Sequence, residues 1–106
     1  MSRDIALTVA ALPMPAVLIG PDERIEAVND AATALFGHDG TGRHYVTVLR
    51  QPATLDAVEQ TQRDGSAREG RYLGREGGRD TTWRASARPV ALPGGRRVLV
   101  TFEDVT

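Results

Sequence analysis

The stretch Arg24-Ile25-Glu26-Ala27-Val28-Asn29-Asp30-Ala31-Ala32-Thr33-Ala34-Leu35-Phe36-Gly37 changes its period at a single residue. Its first part alternates, with Ile25 and Ala27 to one side and Arg24, Glu26 and Val28 to the other, which is the period of a strand. Asn29 then stands where a side-chain oxygen caps a helix, Asp30 complements the helix dipole, and Gly37 supplies a stop. The stretch therefore predicts a strand that runs directly into a short capped helix.

Upstream, Ala16-Val17-Leu18-Ile19 reads as a buried strand, and Gly20-Pro21-Asp22-Glu23 as the turn that joins it to the first in a hairpin. Before it, Ile5, Val9 and Leu12 recur at helical spacing, with Ser2 as an N-cap and Asp4 in the first turn, until Pro13 and Pro15 end the helix. This divides the chain into an N-terminal flanking helix, residues 1–12, and a domain, residues 13–106. The apolar run Ile5 to Val17 is interrupted by Thr8 and two prolines and is shorter than the roughly 20 residues of a spanning helix. Asp4 spoils the positive leader of a secretory signal, so the segment is expected to belong to the fold.

Downstream, His38 to Arg43 lacks an apolar period and carries Gly40 and Gly42, so a mobile loop is expected. A helical region begins near Tyr45. Pro52 opens a longer helix with Leu55 and Val58 on one face and Gly65 as its stop. Three strands follow: Arg68 to Arg75, Thr81 to Val90 and Arg97 to Glu103, separated by the turns Gly77-Gly78 and Pro93-Gly94-Gly95. In the middle strand Trp83, Ala85 and Ala87 share one face, and Thr82, Arg84, Ser86 and Arg88 the other. The last strand is apolar on both sides, with Val98, Val100 and Phe102 opposed to Leu99 and Thr101, so it should be central and covered twice. The N-terminal helix or a partner chain are the candidates for the second cover. The class is α+β with a mostly antiparallel sheet.

At 106 residues, 41% hydrophobic and 25% charged, the chain suits one globular domain. A formal net charge of -1 favours neither nucleic acid nor anionic membrane. The absence of cysteine removes disulfides, thiolate metal sites, a cysteine nucleophile and a cysteinyl chromophore link. All thirteen basic residues are arginine, which also removes Schiff-base chemistry.

Several features together resemble the PAS family from Leu12 to Thr106. They are Leu12-Pro13-Met14-Pro15-Ala16-Val17, the stretch quoted above with its close Leu35-Phe36-Gly37, Trp83 with Ala87-Arg88-Pro89, and the ending Glu103-Asp104-Val105-Thr106. Within the family, Val48 to Leu55 followed by the polar strand and Trp83 looks most like the PAS domain of phosphate-regulon-type sensor histidine kinases. The resemblance implies a five-stranded antiparallel sheet with short helices on one face, a homodimer, and a C-terminal output helix leading to the kinase domain of a two-component parent protein. It implies a regulatory, non-enzymatic, cytoplasmic bacterial module, in a parent that is either soluble or membrane-anchored. The kinase's phosphoacceptor-histidine motif and ATP-binding glycine boxes do not occur in these residues.

Candidate chemistry is sparse. His38 and His44 lack the partners of a metal or haem shell, and the long helix, Pro52 to Arg63, has no histidine where haem-binding relatives place one. Gly40-Thr41-Gly42 follows a helix rather than a strand and lacks the third glycine of a dinucleotide turn. No cofactor is expected, although small residues at Gly70, Gly74, Ala85 and Ala87, beside Trp83, leave room either for a small unidentified ligand or for close packing. Arginines between Arg63 and Arg97 read as a solvated sheet face, because Asp64, Glu69, Glu76 and Asp80 are interspersed. Asp104, Thr106 and Asn29 are the expected signal-relay residues, with Asp104 expected to pair with Arg84 or Arg24. Ile5, Val9, Leu12 and Leu99 are the expected dimer contacts.

Overall fold

The structure is a computed structural model that describes residues 3–106. The N-cap expected at Ser2 lies outside the described residues. In chain order the elements are α1 (Arg3–Ala11), β1 (Ala16–Ile19), β2 (Ile25–Val28), α2 (Asp30–Phe36), α3 (Tyr45–Leu49), α4 (Pro52–Asp64), β3 (Arg68–Glu76), β4 (Arg79–Leu92) and β5 (Gly95–Asp104). The strands form one antiparallel sheet in the order β2-β1-β5-β4-β3. β5 is central, as its two-sided apolar pattern requires.

The two faces of β5 see different covers. Val98, Val100 and Phe102 join Val17, Ile19, Ala85 and Ala87 beneath α2, α3 and α4 in the main core. On the opposite face α1 places Val9 against Ala16, Leu18 and Ala27, with Ile5, Leu12 and Leu99 around it. The second cover is therefore the chain's own N-terminal helix, one of the two candidates, while the short helices α2 to α4 share the other face. Val9 is 1% exposed, and burying a valine side chain stabilises the fold by about 1.5–3 kcal/mol.

β2 departs from simple alternation. Leu18 pairs with Ala27 but Ile19 pairs with Ile25, so Glu26 is an extra residue in a β-bulge. The bulge turns Ile25 into the main core and leaves Ala27 under α1. The two residues expected on one face thus serve opposite faces, a consequence of one inserted residue in a period of two. The bulge also aims Glu26 at Arg97, whose Nε lies 3.1 Å from the carboxylate while its Nη1 donates to the carbonyls of Pro93 and Gly95. A Cβ at Gly20 would lie 2.5 Å from that carboxylate, so a side chain there would displace Glu26 from its place beside Arg97.

The segment His38 to Arg43 is held rather than mobile. Gly42 N–H donates to Ile25 O at 2.8 Å and Ile25 N–H to Arg43 O at 2.9 Å, which lays the loop along the outer edge of β2. Gly40 is buried, and a Cβ there would meet Val48 at 2.7 Å. The loop's pairing to a strand edge leaves no apolar period to read, because backbone groups make its contacts.

Candidate functional site

Asn29 is 4% exposed and uses its whole hydrogen-bonding capacity. Its Oδ1 accepts from Ala32 N–H at 2.9 Å, the expected cap of α2, and from Ala16 N–H at 3.1 Å. Its Nδ2 donates to Leu12 O at 3.2 Å and Met14 O at 2.7 Å. One side chain therefore joins the end of α1, the Pro13-Met14-Pro15 link, the start of β1 and the start of α2. The sequence showed the cap; the other three bonds join residues 13 to 17 positions apart.

At the same end of the strands, where Phe102 N–H donates to Pro15 O at 3.0 Å, β5 is tied to β4 beyond its last pair. Val105 N–H donates to Thr82 O at 2.9 Å, and Thr82 N–H donates to Thr106 Oγ1 at 2.9 Å. The Thr106 hydroxyl donates to Asp104 Oδ1 at 2.5 Å, and the Thr106 N–H reaches the same oxygen at 3.0 Å. These two bonds, the hydroxyl first and the backbone N–H second, hold the Asp104 carboxyl below its usual range. The arginine expected beside it is occupied elsewhere: Arg84 pairs with Glu103 at 2.8 Å, and Arg24 donates to Gly42 O at 3.0 Å. Side chains alternate along β5, so Glu103 and not Asp104 shares the face of Arg84.

Beside both lies an open groove of about 750 Å³, lined by Met14, Leu35, Trp83, Arg84, Phe102 and Asp104 among others. Trp83 belongs to it, its Nε1 donating to Thr81 Oγ1 at 2.9 Å. Ala85 and Ala87, expected beside Trp83 as cavity lining, do not line it; each is 1% exposed in the main core. That interior is filled by Phe36, Tyr72 and Phe102, packed edge to face with centroids 5.2–5.9 Å apart. Burial pushes the Tyr72 hydroxyl above its ordinary pKa. A Cβ at Gly70 would stand 2.6 Å from Ala53 O, so the small residues serve close packing of α4 on β3.

The expected dimer residues divide. Val9 is sealed within its own chain and Ile5, Leu12 and Leu99 pack around it partly buried, whereas Leu7 on the outer side of α1 is 61% exposed. A contact between subunits through Val9 would require α1 to leave its sheet. The spacing that identified the helix's apolar stripe could not tell its own sheet from a partner. His44 caps α3 through Nδ1 and places Nε2 3.0 Å from Glu23; His38 is exposed. Among the described residues no group of three His, Cys, Asp or Glu is arranged to hold a metal ion, and no helix is long and apolar enough to cross a membrane. Arg63 pairs with Glu59 and Arg68 with Asp64 one helical turn or one corner away, in keeping with a solvated arginine-rich face.

The model of the PAS fold family matches residues 9–106, and the chain belongs to that family. Among solved structures it is similar to the PAS domain of nitrogen regulation protein NR(II) from Vibrio parahaemolyticus, at 14% identity and a TM-score of 0.71 over 99% of this chain and 100% of that one. It is similar to the PAS domain of BvgS from Bordetella pertussis, at 16% identity and a TM-score of 0.71 over 97% and 85%. A PAS domain from a two-component sensor histidine kinase matches at 15% identity and a TM-score of 0.65, over 96% and 94%. No curated protein matches the chain. PAS domains, one of them from a two-component sensor histidine kinase, are thus among its structural neighbours, and they share its fold.

Proposed function

We propose that this chain is the cytoplasmic sensor and dimerisation module of a bacterial two-component sensor histidine kinase, passing a signal to an output helix that follows Thr106. The observation that carries this reading is the tie between Asp104, Thr106 and Thr82. Any shift of β4 against β5 must move or break hydrogen bonds that orient the residues after Asp104, next to a groove floored by Trp83 and Phe102. Likeness to kinase PAS domains supports a kinase as the parent, and the resemblance of Val48 to Leu55 with Trp83 supports the phosphate-regulon type.

The filled interior favours a second reading, a ligand-free dimerisation module in which subunit contacts, not a bound metabolite, set the sheet's geometry. Native mass spectrometry of the purified chain separates the two: an added small-molecule mass supports the sensor, and its absence at saturating extract concentrations supports the module. For the kinase reading, the test is phosphate incorporation from ATP by the parent polypeptide. Asp104→Ala should change basal or signal-dependent incorporation while the isolated domain keeps its fold. Unaltered activity and regulation would leave Asp104 as the end of a strand.

A further inference from the structure

β3 is an edge strand, and its outward backbone groups meet two side chains: the Gln51 amide at Leu73 and, less closely, the Thr54 hydroxyl at Arg71. Gln51 Oε1 accepts from Leu73 N–H and Gln51 Nε2 donates to Leu73 O, both at 2.7 Å, so the amide imitates a neighbouring strand. Because both backbone groups of Leu73 face outward, alternation turns those of Glu69, Arg71 and Arg75 outward as well. Thr54 Oγ1, donating to Arg71 O at 3.4 Å, agrees with this.

The strand behind this plug reads Arg68-Glu69-Gly70-Arg71-Tyr72-Leu73-Gly74-Arg75-Glu76, and its charges reverse about Tyr72. Laid antiparallel on a second copy about that residue, Arg68 faces the partner's Glu76, and Glu69 faces the partner's Arg75. Gly70 faces the partner's Gly74, and Arg71 faces the partner's Leu73. In this register outward-facing residues meet outward-facing residues, as the antiparallel ladder requires. The register one residue further along, centred on Leu73, would instead set Arg71 against the partner's Arg75, a like-charge pair. Arg68, Glu69, Arg75 and Glu76 are all exposed, and Leu73 is 60% exposed at the centre of the edge.

We infer that the β3 edge is a docking surface for the β3 edge of a second copy of this chain, held shut by the Gln51 amide. Gln51 stands where the incoming strand would lie, so pairing requires it to withdraw, and the longer 3.4 Å bond from Thr54 to Arg71 O must yield with it. It follows Arg50, a non-glycine residue at φ 58°, in the left-handed region where a side chain costs of order 1 kcal/mol or more. That residue joins α3 to α4 directly before the plug. Two copies joined in this way form a continuous sheet, a two-fold contact in which each subunit offers the same surface. The pairing is independent of whether the parent is a kinase, and independent of the outer side of α1.

Sedimentation velocity of the intact chain tests it. Gln51→Ala should lower the dimer dissociation constant by roughly tenfold or more, as two competing hydrogen bonds are removed. In that background an acidic-edge chain, Arg68→Glu with Arg75→Glu, and a basic-edge chain, Glu69→Arg with Glu76→Arg, should each lose this association alone and regain it when mixed. Amide exchange at Glu69 and Arg75 should slow in the mixture. Should Gln51→Ala fail to fold by its melting curve, the same charge variants on the wild-type sequence, at higher concentration, carry the test. Association of Gln51→Ala no tighter than that of the wild type, or mixing in statistical rather than exclusive proportions, would overturn the inference.

Discussion

Asn29 Nδ2 donates to Met14 O at 2.7 Å, across 15 residues, while the same amide's oxygen receives Ala16 N–H. The helix that covers one face of the sheet and the helix that covers the other are thereby fastened through one buried side chain. Asn29→Ala removes the α2 cap, worth about 1 kcal/mol, and also leaves the buried Ala16 N–H unpaired at about 1–3 kcal/mol, with the part-buried carbonyls of Leu12 and Met14 left to water. A loss of roughly 3 kcal/mol in chemical denaturation is expected. A loss confined to the value of a cap would mean that water replaces the other three bonds without penalty.

Glu26→Ala strands the guanidinium of Arg97, which is 6% exposed. Removing one partner of a buried pair costs about 3 kcal/mol or more, tempered here by the two carbonyls that Arg97 retains. Glu26→Gln, which keeps an oxygen for Arg97, should recover much of the loss. Equal midpoints for the two variants would show that the charge, and not the hydrogen bond, matters.

The two faces of α1 should respond differently. Val9→Ala is expected to destabilise the folded chain by about 2 kcal/mol, whereas Leu7→Ala, at a side chain 61% exposed, should leave the melting temperature within error. If Leu7→Ala costs as much as Val9→Ala, the helix is seated differently on its sheet.

Gly70→Ala tests whether the small residues keep a cavity or a contact. The new methyl would meet Ala53 O at 2.6 Å, so a cost of about 1–3 kcal/mol is expected from overpacking. A neutral or stabilised variant would indicate free space between α4 and β3.

Thr106→Val removes the hydroxyl that contributes most to the lowered Asp104 pKa. The Asp104 carboxyl should then titrate closer to its ordinary value of 3.8 when followed by NMR. Because the folded-state pKa is depressed, whatever stability this turn adds is present above the unfolded value and lost as pH falls through the folded one. An unchanged titration would assign the depression to the backbone N–H alone.

The sequence was most legible where local chemistry decides the outcome. Asn29 and Gly37 bounded α2, Gly65 ended α4, and the alternation of Trp83 to Arg88 assigned β4's faces correctly. Residues whose roles depend on distant partners were not legible. The bulge at Glu26 is a local insertion with no local signature, and it reversed the face of Ala27 relative to Ile25. Gln51 is an unremarkable polar residue until Leu73, 22 positions away, lies beside it. Asp104, expected to pair with Arg84 or Arg24, has Thr106 as its partner instead, because strand parity places Arg84 opposite Glu103.

The relay itself is tested most directly by autophosphorylation of the parent polypeptide carrying Thr106→Val beside Thr106→Ser. Serine keeps the hydroxyl that receives Thr82 N–H and binds Asp104; valine keeps the bulk and loses both bonds. The account predicts that the valine variant shifts basal or signal-dependent activity severalfold while the serine variant behaves as wild type. Wild-type activity and regulation in both would contradict it.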